Sequence, residues 1–542
     1  MKRLIYLFLS TTIFLPSGKA TGQISFKEYP CNTAGYSFPW ALSVYKGDLI
    51  FGAYGNSGGH EFWSCNGSTT NLVKDINPGD ASAQPNFFRE SGGKLFFNAD
   101  DGVHGRELWI YDKSGGGPVL YKDIHSGTTG SNPKPLATYK DQLYFFINEL
   151  TVGTQLRFTN SSMKGVDRVE GVYFQSSQPT VFKEQLFFTG SETPYTYQSE
   201  LWVTDGSTSA KKVIDIYPGD SGSNPNYYFV FKDKLYFSAN NKTNGFELWV
   251  SDGTSGGTKL FMDINPGAGH SSPYSFTEHE GKLFFVADDG THGRELWISD
   301  GTVAGTHMVK DINTYIGSVM GSDPAWMTSY KGKLYFNAFD ISAGRELWCT
   351  DGTETGTRLV KDIYPGSNPA WPAWLIVYGS KLYFTASHSD TLGQQLFQTD
   401  GTDTGTVMLY PSSFPLRKDM VTSYPFLTLF NDKLFFVASY NNNYSQLWSI
   451  EDRVLSVPKT TAAGFLLYPN PTKGIVTLEK APGNSTITVT NVLGQALLSV
   501  HTEPAPSVQR IDLSGFANGL YTISIRNGEQ QITKVSTIVK NE

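Results

Sequence analysis

A short apolar run of the type K-L-F/Y-F recurs along most of the chain. It begins at Leu49, Leu95, Leu143, Leu186, Leu235, Leu283, Leu334, Leu382 and Leu434, at intervals of 43 to 52 residues. Repetition at such a period is the signature of solenoids and propellers, and it outranks any local reading. The cleanest copy continues as GRELWISDGTVAGTHMVKDI over residues 293–312, with sister copies at 245–264 and 344–363.

Each unit divides into four strands. In the sixth unit these are SSPYSFTEHEG (271–281), KLFFVAD (282–288), ELWIS (295–299) and THMVKDI (306–312). Gly, Asp, Asn and Pro separate them, which is hairpin chemistry. The second strand is apolar enough to be buried on both faces. No segment here sustains an apolar period of 3.6, so essentially no helix is expected. Four short strands per unit predict an all-β fold, a β-propeller of about nine four-stranded blades over residues 23–458. The third unit (residues 142–175) is the most degenerate, so an eight-bladed ring with an irregular insert is the alternative. ISFKEYP (24–30) resembles the fourth strand LVKDINP (72–78), whereas the ninth unit lacks a clear fourth strand. The N-terminal segment is therefore expected to complete the last blade; the rival is that residues 453–457 do so.

Features copied around a ring serve the ring first. The Trp at 63, 109, 202, 249, 297, 348 and 448 is read as packing between blades rather than as a ring of sugar platforms. The Asp-Gly pairs at 205, 252, 300, 351 and 400 are read as turns, since Asp bonds its downstream backbone and Gly takes positive φ. A calcium site would need D-x-D-x-D-G spacing, which is absent, so no metal and no cofactor is expected. His104 and His292 share a D-D-G-x-H-G context and are read as loop caps. The Arg-Glu pairs at 106/107, 294/295 and 345/346 read as an inter-blade polar clamp, because catalytic pairs are unique in a chain rather than copied. No nucleophile elbow, zinc motif or phosphate loop occurs.

What the repeats leave unexplained is aromatic. DPAWM (323–327) and NPAWPAW (368–374) place Trp326, Trp371 and Trp374 outside the repeated Trp position, and these three are the candidate ligand-binding residues. The net charge of −7 and the absence of a basic stripe argue against nucleic acid. Three cysteines allow one bridge at most, and Cys31–Cys65 is the expected pair. MKRLIYLFLSTTIFLPSGKATG (1–22) has the positive, apolar and small-residue zones of a secretory signal peptide. No later stretch is apolar for long enough to predict a transmembrane helix.

The ELWVSDGT, ELWISDGT and ELWCTDGT segments resemble the ELWxxDGT repeat proteins of secreted bacterial origin, a likeness that implies no particular chemistry. After the linker KTTAAG (459–464), residues 465–542 change pattern to six or seven short strands, a small immunoglobulin-like β-sandwich. YPNP-x-x-G, V-x-N-V-L-G-Q and GLYTISI resemble the type A C-terminal sorting domain of the type IX secretion system. The resemblance implies a Bacteroidetes-type source, the type IX machinery as partner, and a secreted or surface location. It singles out Tyr468, Pro469, Asn470, Pro471, Gly474, Gly519, Tyr521 and Lys534. The expectation is a secreted binding scaffold for glycan or protein, without catalysis; the rival is a propeller enzyme such as a glycosidase or lyase.

Overall fold

A computed structural model describes residues 23–453 apart from short loop stretches, the longest being 315–320 and 414–420, and most of the strands within 466–540. The signal segment 1–22 and the linker 459–464 lie outside the described residues. The chain divides into two compact units, one spanning Ile24–Asp452 and one holding the C-terminal residues from Arg453.

Among the described residues, the larger unit contains nine antiparallel sheets. Blades 1 to 8 cover residues 40–74, 86–122, 134–168, 173–214, 226–262, 274–310, 325–361 and 373–409. Blade 4 has a fifth strand, Tyr173–Phe174; the other blades have four. The sixth unit's strands fall at Tyr274–His279, Lys282–Asp288, Arg294–Ser299 and His307–Lys310, close to the sequence reading. The degenerate third unit is a full blade, so the ring has nine blades rather than eight.

Ring closure follows from two observations. The strand Gln23–Tyr29 lies beside Gln446–Arg453 in the fourth-strand place of blade 9, so the N-terminal segment supplies that strand. Each junction between neighbouring blades also has its own apolar core. The core at the closing junction joins Tyr29, Phe435 and Leu447 of blade 9 to Leu49, Phe51 and Trp63 of blade 1. A sheet apolar on both faces cannot exist alone, and nine such junctions leave no face uncovered.

The repeated residues are devoted to this architecture. All seven of the repeated Trp are buried, and Trp297 sits in the core between blades 5 and 6, donating its indole N–H to the Ala287 carbonyl at 3.1 Å. In the Asp300-Gly301 turn, the Asp300 carboxylate accepts from the Thr302 amide (2.8 Å) and hydroxyl (2.7 Å), while Gly301 takes φ +92°. Cys31 and Cys65 share the closing core as free thiols, which corrects the expected bridge. Burial pushes the Cys31 thiol up to about 12.

The C-terminal unit has a three-stranded sheet (Leu466–Tyr468, Ile475–Ala481, Ser507–Asp512) and a four-stranded sheet (Ala496–His501, Thr486–Thr490, Gly519–Arg526, Ile532–Lys540). Val476, Leu478 and Ile511 of the first share one core with Ile487, Val489 and Ile523 of the second, as a sandwich requires.

Candidate functional site

The site rests on how one blade hands the chain to the next. The Glu that begins each ELW is buried and binds the crossing linker. Glu247 accepts from the amides of Ile264 (2.7 Å) and Ser271 (2.9 Å) and from the Ser271 hydroxyl (2.6 Å). Glu107 does the same with Ile124 and Ser131, and Glu346 accepts from the amides of Ile363 and Ala370. Burial raises these carboxyls, Glu247 and Glu295 to about 7 and Glu346 to about 8. They clamp linkers, as the sequence suggested, but the neighbouring Arg is not their partner. Arg345 instead donates to the Asp323 carbonyl (2.7 Å) and the Asn337 amide oxygen (3.0 Å).

One residue past the clamped position, the chain enters the left-handed region at a residue that precedes a proline. Phe38, Gln84, Asn132, Asn224, Ser272, Asp323 and Trp371 occupy this place, with φ between +41° and +54°. Each donates its amide to the preceding blade: Gln84 to His60, Asn132 to Arg106 and Asp323 to Arg294, at 2.9, 3.0 and 2.8 Å. Three residues on, a second left-handed residue sits in a bulge of the first strand. Ala41, Phe87, Tyr227, Ser275, Trp326 and Trp374 take φ +54° to +60° there; in blade 9, Phe426, just ahead of the first strand and as far before Leu434 as Trp374 is before Leu382, takes +49°. Bulky residues at positive φ cost about 1–3 kcal/mol each and persist where the surroundings fix the backbone. Here the two flanking blades fix it.

The first strands are the innermost, because neighbouring blades approach each other through them: Thr138 donates to the Glu90 carbonyl at 2.7 Å, and Thr328 to that of Leu375 at 3.3 Å. The bulge side chains therefore gather on the axial side. Trp326 and Trp374 lie 4.9 Å apart, Trp374 is 5.8 Å from Phe426, and Phe426 is 5.1 Å from Trp40. Tyr424 and Phe38 flank Trp40 at 5.1 and 6.1 Å. This aromatic arc crosses blades 7, 8, 9 and 1. Trp326 is 43 % exposed, so it is not core.

Trp371 is not part of that arc. It is 54 % exposed and stands over the Arg345 guanidinium at 5.2 Å, beside a cavity of about 510 Å³ that also holds Arg294, Asp323 and Asp288. The sequence reading found three of the Trp but missed Trp40, Phe426, Phe38, Phe87 and Tyr227. The available signal for Phe87 and Tyr227 was their place two residues after the Pro that opens the unit, the place Trp326 and Trp374 also hold; Trp40, Phe38 and Phe426 stand at other distances from theirs. Trp326 and Trp374 lie outside the ELW position, as read, yet they occupy a repeated place of their own. His104 and His292 cap their loops as read, each ring bonded to the Asp three residues earlier at 2.8 and 2.7 Å.

In the C-terminal unit, Tyr468 lies on the strand Leu466–Tyr468, and Pro469, Asn470 and Pro471 fall outside the described residues. Gly474 has φ +153° and its carbonyl accepts from the Leu513 amide at 2.7 Å. Gly519 and Tyr521 share a strand, with Tyr521 in the core, and Lys534 is on the last strand.

Residues 466–540 match the family of secretion system C-terminal sorting domains. The chain thus couples a β-propeller to a type IX sorting domain, the address that carries a protein across the outer membrane to the surface or the medium. Among solved structures the chain is similar to PorZ of Porphyromonas gingivalis, an essential bacterial surface component of the type IX secretion system. That likeness is at 11 % identity over 93 % of this chain and 75 % of that one, with a TM-score of 0.34. It is similar to a prolyl endopeptidase at 14 % identity (66 % of this chain, 55 % of that one, TM-score 0.36). It is also similar to a puromycin hydrolase at 12 % (66 % and 59 %, TM-score 0.34). This chain spans less than two thirds of the length of the last two. These likenesses concern the fold and nothing further. No curated protein matches the chain.

Proposed function

We propose that the propeller is a non-catalytic binding scaffold which captures glycan outside the cell, and that the arc Trp326–Trp374–Phe426–Trp40 is its contact surface. One observation carries the reading: four aromatic rings from four consecutive blades are in unbroken contact on the axial side, three of them on left-handed backbone. The C–H face of a pyranose suits the electron-rich face of an aromatic ring, and rigid rings lose little entropy on binding. The ELWxxDGT resemblance fits a scaffold whose repeated residues build the ring while the variable ones bind. A glycan array with the purified protein, paired with a hydrolysis screen, tests this. Trp374→Ala is expected to weaken the bound glycans by about tenfold, the worth of roughly 1.4 kcal/mol of lost stacking. Turnover abolished by a single carboxylate substitution would overturn it.

A further inference from the structure

Seven of the junctions share one frame, and among the described residues two places in it open into a cavity. The one beside Trp371 has already been described. The other, of about 440 Å³, is framed by blades 1 to 3 and lined in part by Phe38, Trp40, Phe87, His60, Arg106 and Lys134. The two are the same place with different residues. Arg106 and Asn98 stand where Arg345 and Asn337 stand in the other. Gln84 replaces Asp323, His60 replaces Arg294 and Asn132 replaces Trp371.

Those exchanges change the charge. In the Trp371 cavity, Asp323 answers both cations, at 3.4 Å from Arg345 and 4.0 Å from Arg294, and also accepts from the Tyr274 hydroxyl. The cavity at blades 1 to 3 has no carboxylate in its lining. Arg106 donates only to neutral acceptors: the carbonyls of Gln84 (2.8 Å) and Ala83 (3.3 Å) and the side-chain oxygens of Asn98 (3.1 Å) and Gln84 (3.2 Å). Asp100, outside the lining, is the carboxylate whose field reaches it. Lys134 lies over the rings of Phe87 and Phe146 at 5.7 and 5.3 Å and has no carboxylate partner among the described residues. His60 is uncharged at neutral pH, since burial pushes it down to about 4; its Nε2 lies 3.3 Å from the Phe38 carbonyl. Gly52 is what admits that ring, because a Cβ there would fall 2.3 Å from His60 Cε1.

Two cations with no carboxylate in the cavity lining, beside four aromatic rings, in a chain of net charge −7, form a receptor for an anion with an apolar face. Trp40 belongs to both this cavity and the aromatic arc, so a ligand seated here continues onto Phe426 and Trp374. Resting on the glycan-binding reading, we infer that this cavity takes a sugar carrying a carboxylate, a hexuronate, and anchors an acidic glycan chain at that end of the arc.

The test is calorimetric titration of the full-length protein with three oligosaccharides of equal length: an oligogalacturonate, its carboxyl-reduced neutral counterpart, and a sulfated neutral chain. The oligogalacturonate is expected to bind at least tenfold more tightly than the reduced one, with the gap closing as salt rises. Lys134→Met should cut that acid-to-neutral ratio about fivefold; Lys134 is exposed, so the variant keeps the fold. Equal binding of the acidic and reduced chains would overturn the hexuronate inference while leaving glycan capture standing. Tighter binding of the sulfated chain would overturn the carboxylate assignment. Binding of none of the three would overturn both readings.

Discussion

Replacing Glu247 by Ala separates two effects that the buried clamp combines. The change strands the amides of Ile264 and Ser271, which now have the carboxylate at 2.7 and 2.9 Å; the Ser271 hydroxyl keeps a second acceptor in the Phe246 carbonyl at 3.3 Å. A buried donor left without a partner costs about 1–3 kcal/mol, so the two together cost about 2–6 kcal/mol. The pH dependence runs the other way. Burial lifts the carboxyl from 4.5 to about 7, so between those values the fold holds a proton that the unfolded chain has released. The stability from this protonation is fully present below 4.5, is lost as pH rises towards 7, and changes no further above that. At about 1.4 kcal/mol per pH unit, wild type gives up roughly 3 kcal/mol across this window relative to Glu247→Ala, which has nothing to titrate there. Glu295 and Glu346 titrate in the same range but are common to both proteins and cancel. Guanidinium unfolding followed by Trp fluorescence at pH 5 and pH 8.5 should show the variant's deficit largest at pH 5 and narrower by roughly 3 kcal/mol at pH 8.5. A deficit that is constant, or that grows with pH, would refute the buried-carboxyl account.

Two further predictions follow from the same frame. The linker bound by Glu346 has Ala370 where those bound by Glu107, Glu200, Glu247 and Glu295 have a Ser that also donates its hydroxyl. Ala370→Ser is therefore expected to raise stability by about 1–2 kcal/mol in the same unfolding assay, and a loss would show that the site has no room for the hydroxyl. The bond from Asp289 raises the His292 imidazole. Asp289→Asn should bring its NMR titration midpoint down, and an unmoved midpoint would deny the pair any role.

The ring was legible because it repeats. A period near 48 residues, hairpin turns of the Asp300-Gly301 kind and the apolar second strand each have local causes, and the strand order followed from them. Closure by Gln23–Tyr29 was legible for the same reason, since ISFKEYP carries a fourth strand's pattern. The expected Cys31–Cys65 bridge placed both residues in the right core, but proximity in a core does not determine bonding. The site was only partly legible. Trp326 and Trp374 stood out by residue type, whereas Phe87, Tyr227 and Phe426 looked like ordinary strand aromatics. What sets them apart is a left-handed backbone that no propensity predicts for bulky residues.

That backbone also explains how one fold separates stability from recognition. The second left-handed position holds Ala41, Phe87, Tyr227, Ser275, Trp326, Trp374 and Phe426 at similar φ, from a methyl group to an indole. A core position would not tolerate that range of volume without losing several kcal/mol to cavities or overpacking. The frame tolerates it because the clamp fixes the chain from the backbone side: Glu247 and its counterparts hold the linker, and in seven blades the preceding blade accepts the amide of the residue before the Pro. The side chain three residues later can then vary without opening a cavity in the blade cores. Residues that build the propeller must agree from blade to blade, and those proposed to bind need not. The arc and the cationic cavity lie where the copies disagree.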